Sequence, residues 1–306
     1  MVTHVRKHLS KLLFSALLMG VFANGSPALA QPAGDFPIRD SSVGYIDDAI
    51  PGNMLRFRFD AAYENHRPLR GEFFYAPGYG FGPGLPKVER SVDYQDVMGY
   101  LELLLGEHVS FFAEVPTRFL NPEVNDNHAG LGDVNGGLKW AVLYGEMGTL
   151  SLQFRTYAPS GNPHLGLGTG HTTVEPGILF FLPLSENCAL EGECEYLTPL
   201  GGQPISGDVM KYGLGLQCKV FESESFRVIP VIEAVGWTFL HGGDVVVFPS
   251  GDAALIGATG DTILNIKPGI RFGIGKNFDV FGGWSHPLTG DKFYENLWRV
   301  EMRFCF

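Results

Sequence analysis

The stretch Leu297-Trp298-Arg299-Val300-Glu301-Met302-Arg303-Phe304-Cys305-Phe306 decides the fold. Trp298, Val300, Met302, Phe304 and Phe306 stand at every second position, with Arg299, Glu301 and Arg303 between them. Successive side chains of a β-strand point to opposite faces, so this segment is a strand with one apolar and one charged face.

The same period runs back through the chain. Leu55, Phe57 and Phe59 alternate with Arg56, Arg58 and Asp60, and Leu101 and Leu103 flank Glu102. Leu150, Leu152 and Phe154 alternate with Ser151, Gln153 and Arg155, and Leu214 and Leu216 with Gly213, Gly215 and Gln217. Twelve strands are read in this way, at 54–64, 93–105, 109–117, 133–144, 149–158, 172–183, 187–198, 209–221, 226–238, 261–275, 278–287 and 296–306. Two are less regular: 226–237 is apolar on both faces, and 278–286 mixes Phe, Gly, Trp and Ser. Pro176, Pro230 and Pro268 fall inside strands, where each removes a ladder donor and predicts a bulge or register defect.

The connections alternate in length. Those at 106–108, 145–148, 184–186, 222–225 and 276–277 are short, and those at 65–92, 118–132, 159–171, 199–208, 239–260 and 288–295 are long. An even number of strands of about ten residues, with short turns on one side and long loops on the other, predicts an all-β, antiparallel transmembrane β-barrel. A closed sheet pairs every backbone group inside lipid. A soluble sandwich needs no such alternation of loops, and its strands are mostly shorter.

Composition agrees. The 306 residues include 41 Gly and 24 Phe, a mixture that weakens helix interiors and excludes a helical bundle. The net charge of −11 speaks against nucleic acid as a partner. Residues 1–30 carry Arg6, Lys7 and Lys11, then an apolar run from Leu12 to Ala23, then Ala28-Leu29-Ala30, which is the layout of a cleaved signal peptide. The expected organisation is therefore a signal peptide at 1–30, a short periplasmic N-terminal segment at 31–53 and an outer-membrane barrel at 54–306.

Three stretches resemble a known family. Gly130-Leu131-Gly132-Asp133 with the following Val134–Trp140, Ala158-Pro159-Ser160-Gly161-Asn162-Pro163 with Gly166-Leu167-Gly168-Thr169-Gly170, and Val174-Glu175-Pro176-Gly177-Ile178 resemble motifs of the outer-membrane barrels grouped with the meta-pathway phenol-degradation proteins. Ser160 and Asn162 stand where that family has Thr and Asp. The similarity is best over 92–183. It implies an outer-membrane barrel that admits small hydrophobic or aromatic compounds. Read physically, Gly166, Gly168 and Gly170 permit left-handed backbone and close packing where a loop enters the barrel.

The polar faces supply the candidate lumen residues. Arg56, Arg58, Arg299 and Arg303 come from the first and last strands, which meet on closure, and Glu102, Glu114, Glu175, Glu191, Glu193 and Glu195 come from the second, third, sixth and seventh strands. A basic wall facing acidic walls predicts a transverse field across the pore; the alternative is that these charges pair and fill the interior. No catalytic residue, cofactor or metal is expected. Ser285 and His286 are adjacent and point to opposite faces, and no His or Cys spacing suggests zinc. Cys188 and Cys218 become opposite at one register of consecutive strands, where a disulfide or two separate lipid-facing thiols both fit. Phe306 ends the apolar face of the last strand and resembles the signal read by the barrel-assembly machinery. The expected role is an outer-membrane channel or transporter for a small solute, with lipid and the assembly machinery as partners. The alternatives are a non-conducting structural barrel, and a surface receptor or adhesin using its long loops.

Overall fold

The computed structural model describes residues 41–65, 82–87, 89–201, 205–250 and 252–306. The expected signal peptide and most of the loop 65–92 lie outside the described residues.

Twelve strands form one closed antiparallel ring. In chain order they are β1 (Met54–Asn65), β2 (Val92–Leu104), β3 (Val109–Pro122), β5 (Asn135–Gly145), β6 (Gly148–Tyr157), β7 (Thr172–Pro183), β8 (Cys188–Leu200), β9 (Val209–Cys218), β11 (Phe226–Phe239), β14 (Thr262–Ile274), β15 (Phe278–Pro287) and β16 (Asn296–Cys305). Each pairs with its neighbours in the ring, and β1 closes it on β16, with Met54 opposite Cys305 and Tyr63 opposite Asn296. Four short strands are additions. β4 (His128–Leu131) extends the partner of β3, β10 (Phe221–Glu222) sits at the foot of β11, and β12 (Gly243–Val247) and β13 (Ala253–Gly257) make a hairpin in the longest described loop.

The period-2 reading therefore maps onto the wall. Phe57, Leu101, Phe111, Val115, Leu138, Ile178, Leu214 and Val300 point outward and are exposed, giving the apolar outer band a lipid-facing barrel needs. One strand is longer than expected: β3 runs to Pro122 because its alternation continues through inward Arg118 and Leu120, and Arg118 pairs with Asp96 on β2 at 2.8 Å.

The prolines act in two ways. At Pro230 the register of β11 changes: Val231 faces Gln217 on β9, but Val228 faces Phe221 on β10. The strand expected at 209–221 is interrupted there. Pro176 and Pro268 instead leave a gap in one ladder, while pairing on either side keeps its register. Cys188 and Cys218 are directly opposite on β8 and β9 and form a disulfide.

Residues 41–53 are not a strand, and wall side chains hold them inside the ring. Ser41, Ser42, Val43, Tyr45, Ile46 and Ala49 are buried, and every wall residue that holds them points into the lumen. The segment enters beside Gln217 and Arg271, reaches Glu193 and Arg155 with Asp47, and returns past Ser151 and Glu102 to the start of β1. It occupies the barrel at its short-turn end.

Candidate functional site

The lumen has a floor, a chamber and a ceiling. The floor is segment 41–53, whose backbone has no sheet partner and is satisfied by wall side chains instead, as buried N–H and C=O groups require. The Glu233 carboxylate accepts from the N–H groups of Gly44, Tyr45 and Ile46 at 2.8, 2.9 and 2.8 Å. Arg271 donates to the carbonyls of Ser42 and Val43 at 2.9 and 2.7 Å, and Arg299 to that of Gly44 at 2.6 Å. Glu193 takes the N–H of Asp47 at 2.8 Å, and the Gln217 side chain takes that of Ser42.

Two glycines of β9 make room for the floor. A Cβ on Gly213 would stand 2.5 Å from Ile46, and one on Gly215 2.8 Å from Val43. Tyr45 packs edge-on against Phe281 at 5.9 Å, with the Arg299 guanidinium 4.3 Å from the centre of its ring.

All ten expected lumen residues face inward. Glu102, Glu114, Glu175, Glu191, Glu193, Glu195, Arg299 and Arg303 are buried, and Arg56 and Arg58 nearly so. They do not form two bare walls. Arg56 lies 3.6 Å from Glu114 and 3.7 Å from Glu301, Arg303 pairs with Asp279 at 2.9 Å, and Arg299 makes a two-pronged pair with Asp60 at 2.7 and 2.6 Å. Further round the wall Lys139 meets Glu102 at 3.1 Å, and Lys211 meets Glu193 and Glu195 on the adjacent strand at 3.1 and 2.8 Å. Opposite charges interleave because inward positions on neighbouring strands are close enough to neutralise one another. The expected transverse field is thereby reduced to what imperfect pairing leaves.

Asp47 belongs to this network although it lies outside the wall. Burial alone would raise its carboxyl, but Arg155 at 2.6 Å, Lys211 and a hydrogen bond from Gln153 at 2.7 Å hold it well below the usual carboxylate range. One of its oxygens lies within 4.8 Å of one oxygen each of Glu193 and Glu195, and the Lys211 ammonium already pairs with both of those glutamates.

Above the floor lies a cavity of about 110 Å³, lined by Tyr45, Asp47, Arg58, Glu114, Asn135, Arg155, Tyr157, Glu175, Lys211 and Trp237 among others. The ceiling is apolar. Leu85, Leu167, Ala258, Phe293 and Tyr294 fold in from the loops and are buried with the upper inward residues of the wall. Phe293 meets Trp237 and Phe239 edge-on at 5.2 and 6.1 Å, and the Tyr294 hydroxyl lies 3.0 Å from Asn265 and from Ser285.

Two of the three family-like motifs meet at this ceiling, and the third, Val174–Ile178, lies in the wall strand β7. The Asp133 carboxylate accepts from the N–H groups of Gly161 and Thr169 at 3.0 and 2.8 Å and from the Thr169 hydroxyl at 2.9 Å. Ser160 donates to the carbonyl of Gly132 at 2.9 Å and accepts from the N–H of Val134 at 2.8 Å, so the loop 158–171 is pinned with Leu167 turned inward. Only a hydroxyl is needed at 160, so Ser serves in place of Thr. Asn162 caps the short turn Pro163–Leu165 through its side-chain oxygen, where an Asp would accept equally well. Gly166 and Gly170 have φ of 73° and 74°, as expected, whereas Gly168 is not left-handed and serves close packing instead, since a Cβ on it would meet the Asp133 carboxylate.

Sequence reasoning did not find the floor, Glu233 as its anchor, or the apolar ceiling. One signal was present. The segment 226–237, apolar on both faces, turns one face to lipid and the other to the floor and ceiling, through Ile229, Val231, Val235 and Trp237.

Comparison with solved structures agrees on the fold. An outer-membrane channel of Pseudomonas putida F1 superposes with a TM-score of 0.54 at 11% identity, covering 90% of this chain and 100% of that one. The NanC porin, at a TM-score of 0.48 and 8% identity, and the translocator domain of the autotransporter NalP from Neisseria meningitidis, at 0.47 and 13%, are more distant. No family model matches the chain, and no curated protein does. The fold is that of an outer-membrane barrel.

Proposed function

We propose that this protein is a gated outer-membrane channel for small polar solutes. The observation that carries the reading is the division of the lumen into a removable floor, a charged chamber and a loop ceiling. A barrel meant only as a scaffold can fill its interior with wall side chains. Here the floor belongs to a separate segment, held by hydrogen bonds to wall side chains and by packing, outside the strand ladder, so it can leave without breaking the wall. The apolar outer band and the signal-like segment 1–30 support placement in the outer membrane. Phe306, exposed beside Phe304 at the end of the last strand, supports recognition by the assembly machinery.

The resemblance to the phenol-pathway barrels suggests hydrophobic or aromatic solutes. The chamber lining, with five cationic and four anionic side chains, favours polar ones. The extent of floor contacts also favours a second reading, a barrel that stays closed. Single-channel recording in planar bilayers separates the two. The channel reading expects discrete openings from the full chain, and larger or longer ones once the floor is weakened. Silence from both the full chain and the weakened variant would leave the closed barrel standing.

A further inference from the structure

The chamber has two unlike sides. On one, Arg58 is held loosely. Its nearest carboxylate oxygens belong to Asp60 at 3.5 Å and Glu114 at 3.6 Å, its Nε makes no hydrogen bond, and its closest neighbour is the sulfur of Met98, a weak acceptor. Asp60 is already engaged by both prongs of Arg299. On the other side Glu175 is 1% exposed. One of its oxygens takes the Tyr157 hydroxyl at 2.7 Å, and Oε1 makes no hydrogen bond, with Arg155 standing off at 3.9 Å. Asn135, 5% exposed, gives Nδ2 to Glu114 at 3.1 Å and leaves Oδ1 without a donor.

Buried donors and acceptors left in this state carry a desolvation cost that a fitting solute would relieve. A simple anion would satisfy Arg58 but meet the carboxylates of Glu114 and Glu175. A simple cation would satisfy Glu175 but meet Arg58 and Arg155. A solute with a carboxylate at one end and an ammonium at the other offers each side its complement. We propose that the chamber is a binding station for a small zwitterion of the amino-acid class, its carboxylate on Arg58 and its ammonium on Oε1 of Glu175 and Oδ1 of Asn135. The proposal rests on the channel reading for its purpose, whereas binding itself needs no conduction.

The test is calorimetric titration of the refolded full chain in detergent with alanine, propionate and ethylammonium. Alanine should bind about tenfold or more tighter than either single-charge analogue. Glu175→Gln should erase the preference for alanine over propionate, and Arg58→Gln the preference for alanine over ethylammonium. Equal affinity for all three solutes, no detectable binding of any, or an unchanged preference in both variants would overturn the proposal. If one variant lacks the heat-modifiable folded band, the other variant and the wild-type series decide. Proteoliposome swelling run in parallel keeps the two readings apart. Alanine binding without swelling removes the channel and keeps the station, whereas swelling without alanine binding does the reverse.

Discussion

Glu233 holds three consecutive N–H groups of the floor with one carboxylate. Hydrogen bonds to charged groups contribute about 1.5–3 kcal/mol each, less what water restores to the freed donors. Glu233→Ala should therefore loosen the floor by about 3 kcal/mol, seen as a larger open probability in planar bilayers and faster proteolysis within 41–53. Unchanged conductance would mean that the floor is not the gate. Gly215→Val tests the same idea from the neighbouring strand, where Gly215 is paired directly with Glu233 and even its Cβ would stand 2.8 Å from Val43 and 3.2 Å from the Glu233 side chain. It should shift the floor and raise conductance by crowding Val43 and the Glu233 anchor together. Neither residue's role was legible in the sequence. A Glu and a Gly on the polar face of a strand look the same whether they meet water or a folded-in segment, and the partner lies some 190 residues away.

At the scale of the element, period 2 made the wall readable because each strand separates two solvents. Leu101→Arg, Leu138→Arg and Leu214→Arg, on outward-facing exposed positions, should each cost about 2–4 kcal/mol near the bilayer midplane in a folding titration into lipid. Met147→Arg, in a short turn and 88% exposed, should cost almost nothing, and equal costs at all four would refute the assigned faces. Gln153 is no neutral control despite its inward position, because its amide is spent on Asp47 and Glu195. The β8–β9 pairing makes a separate prediction. Alkylation of the unfolded, unreduced chain should label Cys194 and Cys305 only, and reduction should add Cys188 and Cys218. Where reading the elements failed, alternation had failed first. The ends of β3, β9 and β11 carry apolar residues on both faces or a proline, so period 2 could not say where wall gave way to loop.

At the scale of the whole molecule, the order of short and long connections fixed the barrel but said nothing of its contents. A ring of twelve strands stands between barrels of about eight, which side chains fill, and those of about 16–18, which leave a channel, so strand number leaves the contents open. What fills the interior here comes from the chain before β1 and from the loops, which have no periodicity to read. The connections still predict orientation. Protease added to intact cells should cut within the loop 240–261 and spare the turn 219–225. Cutting at the turn alone would invert the topology, and with it the side from which the floor enters.

The hydrogen bonds that seat residues 42–47 join partners 106 to 255 positions apart in the chain. Contacts so remote in sequence form late, because the loop entropy they close is spent only when the intervening strands are already in place. Glu193, Glu233, Arg271 and Arg299 take their positions on β8, β11, β14 and β16. The first described residues of the chain are thus the last to be seated, after the final strand has joined the first. Refolding should show strand formation by circular dichroism before Tyr45 is shielded from a quencher in solution. Undocking the floor would run that last folding step backwards, with its energetics already set by how the protein was made.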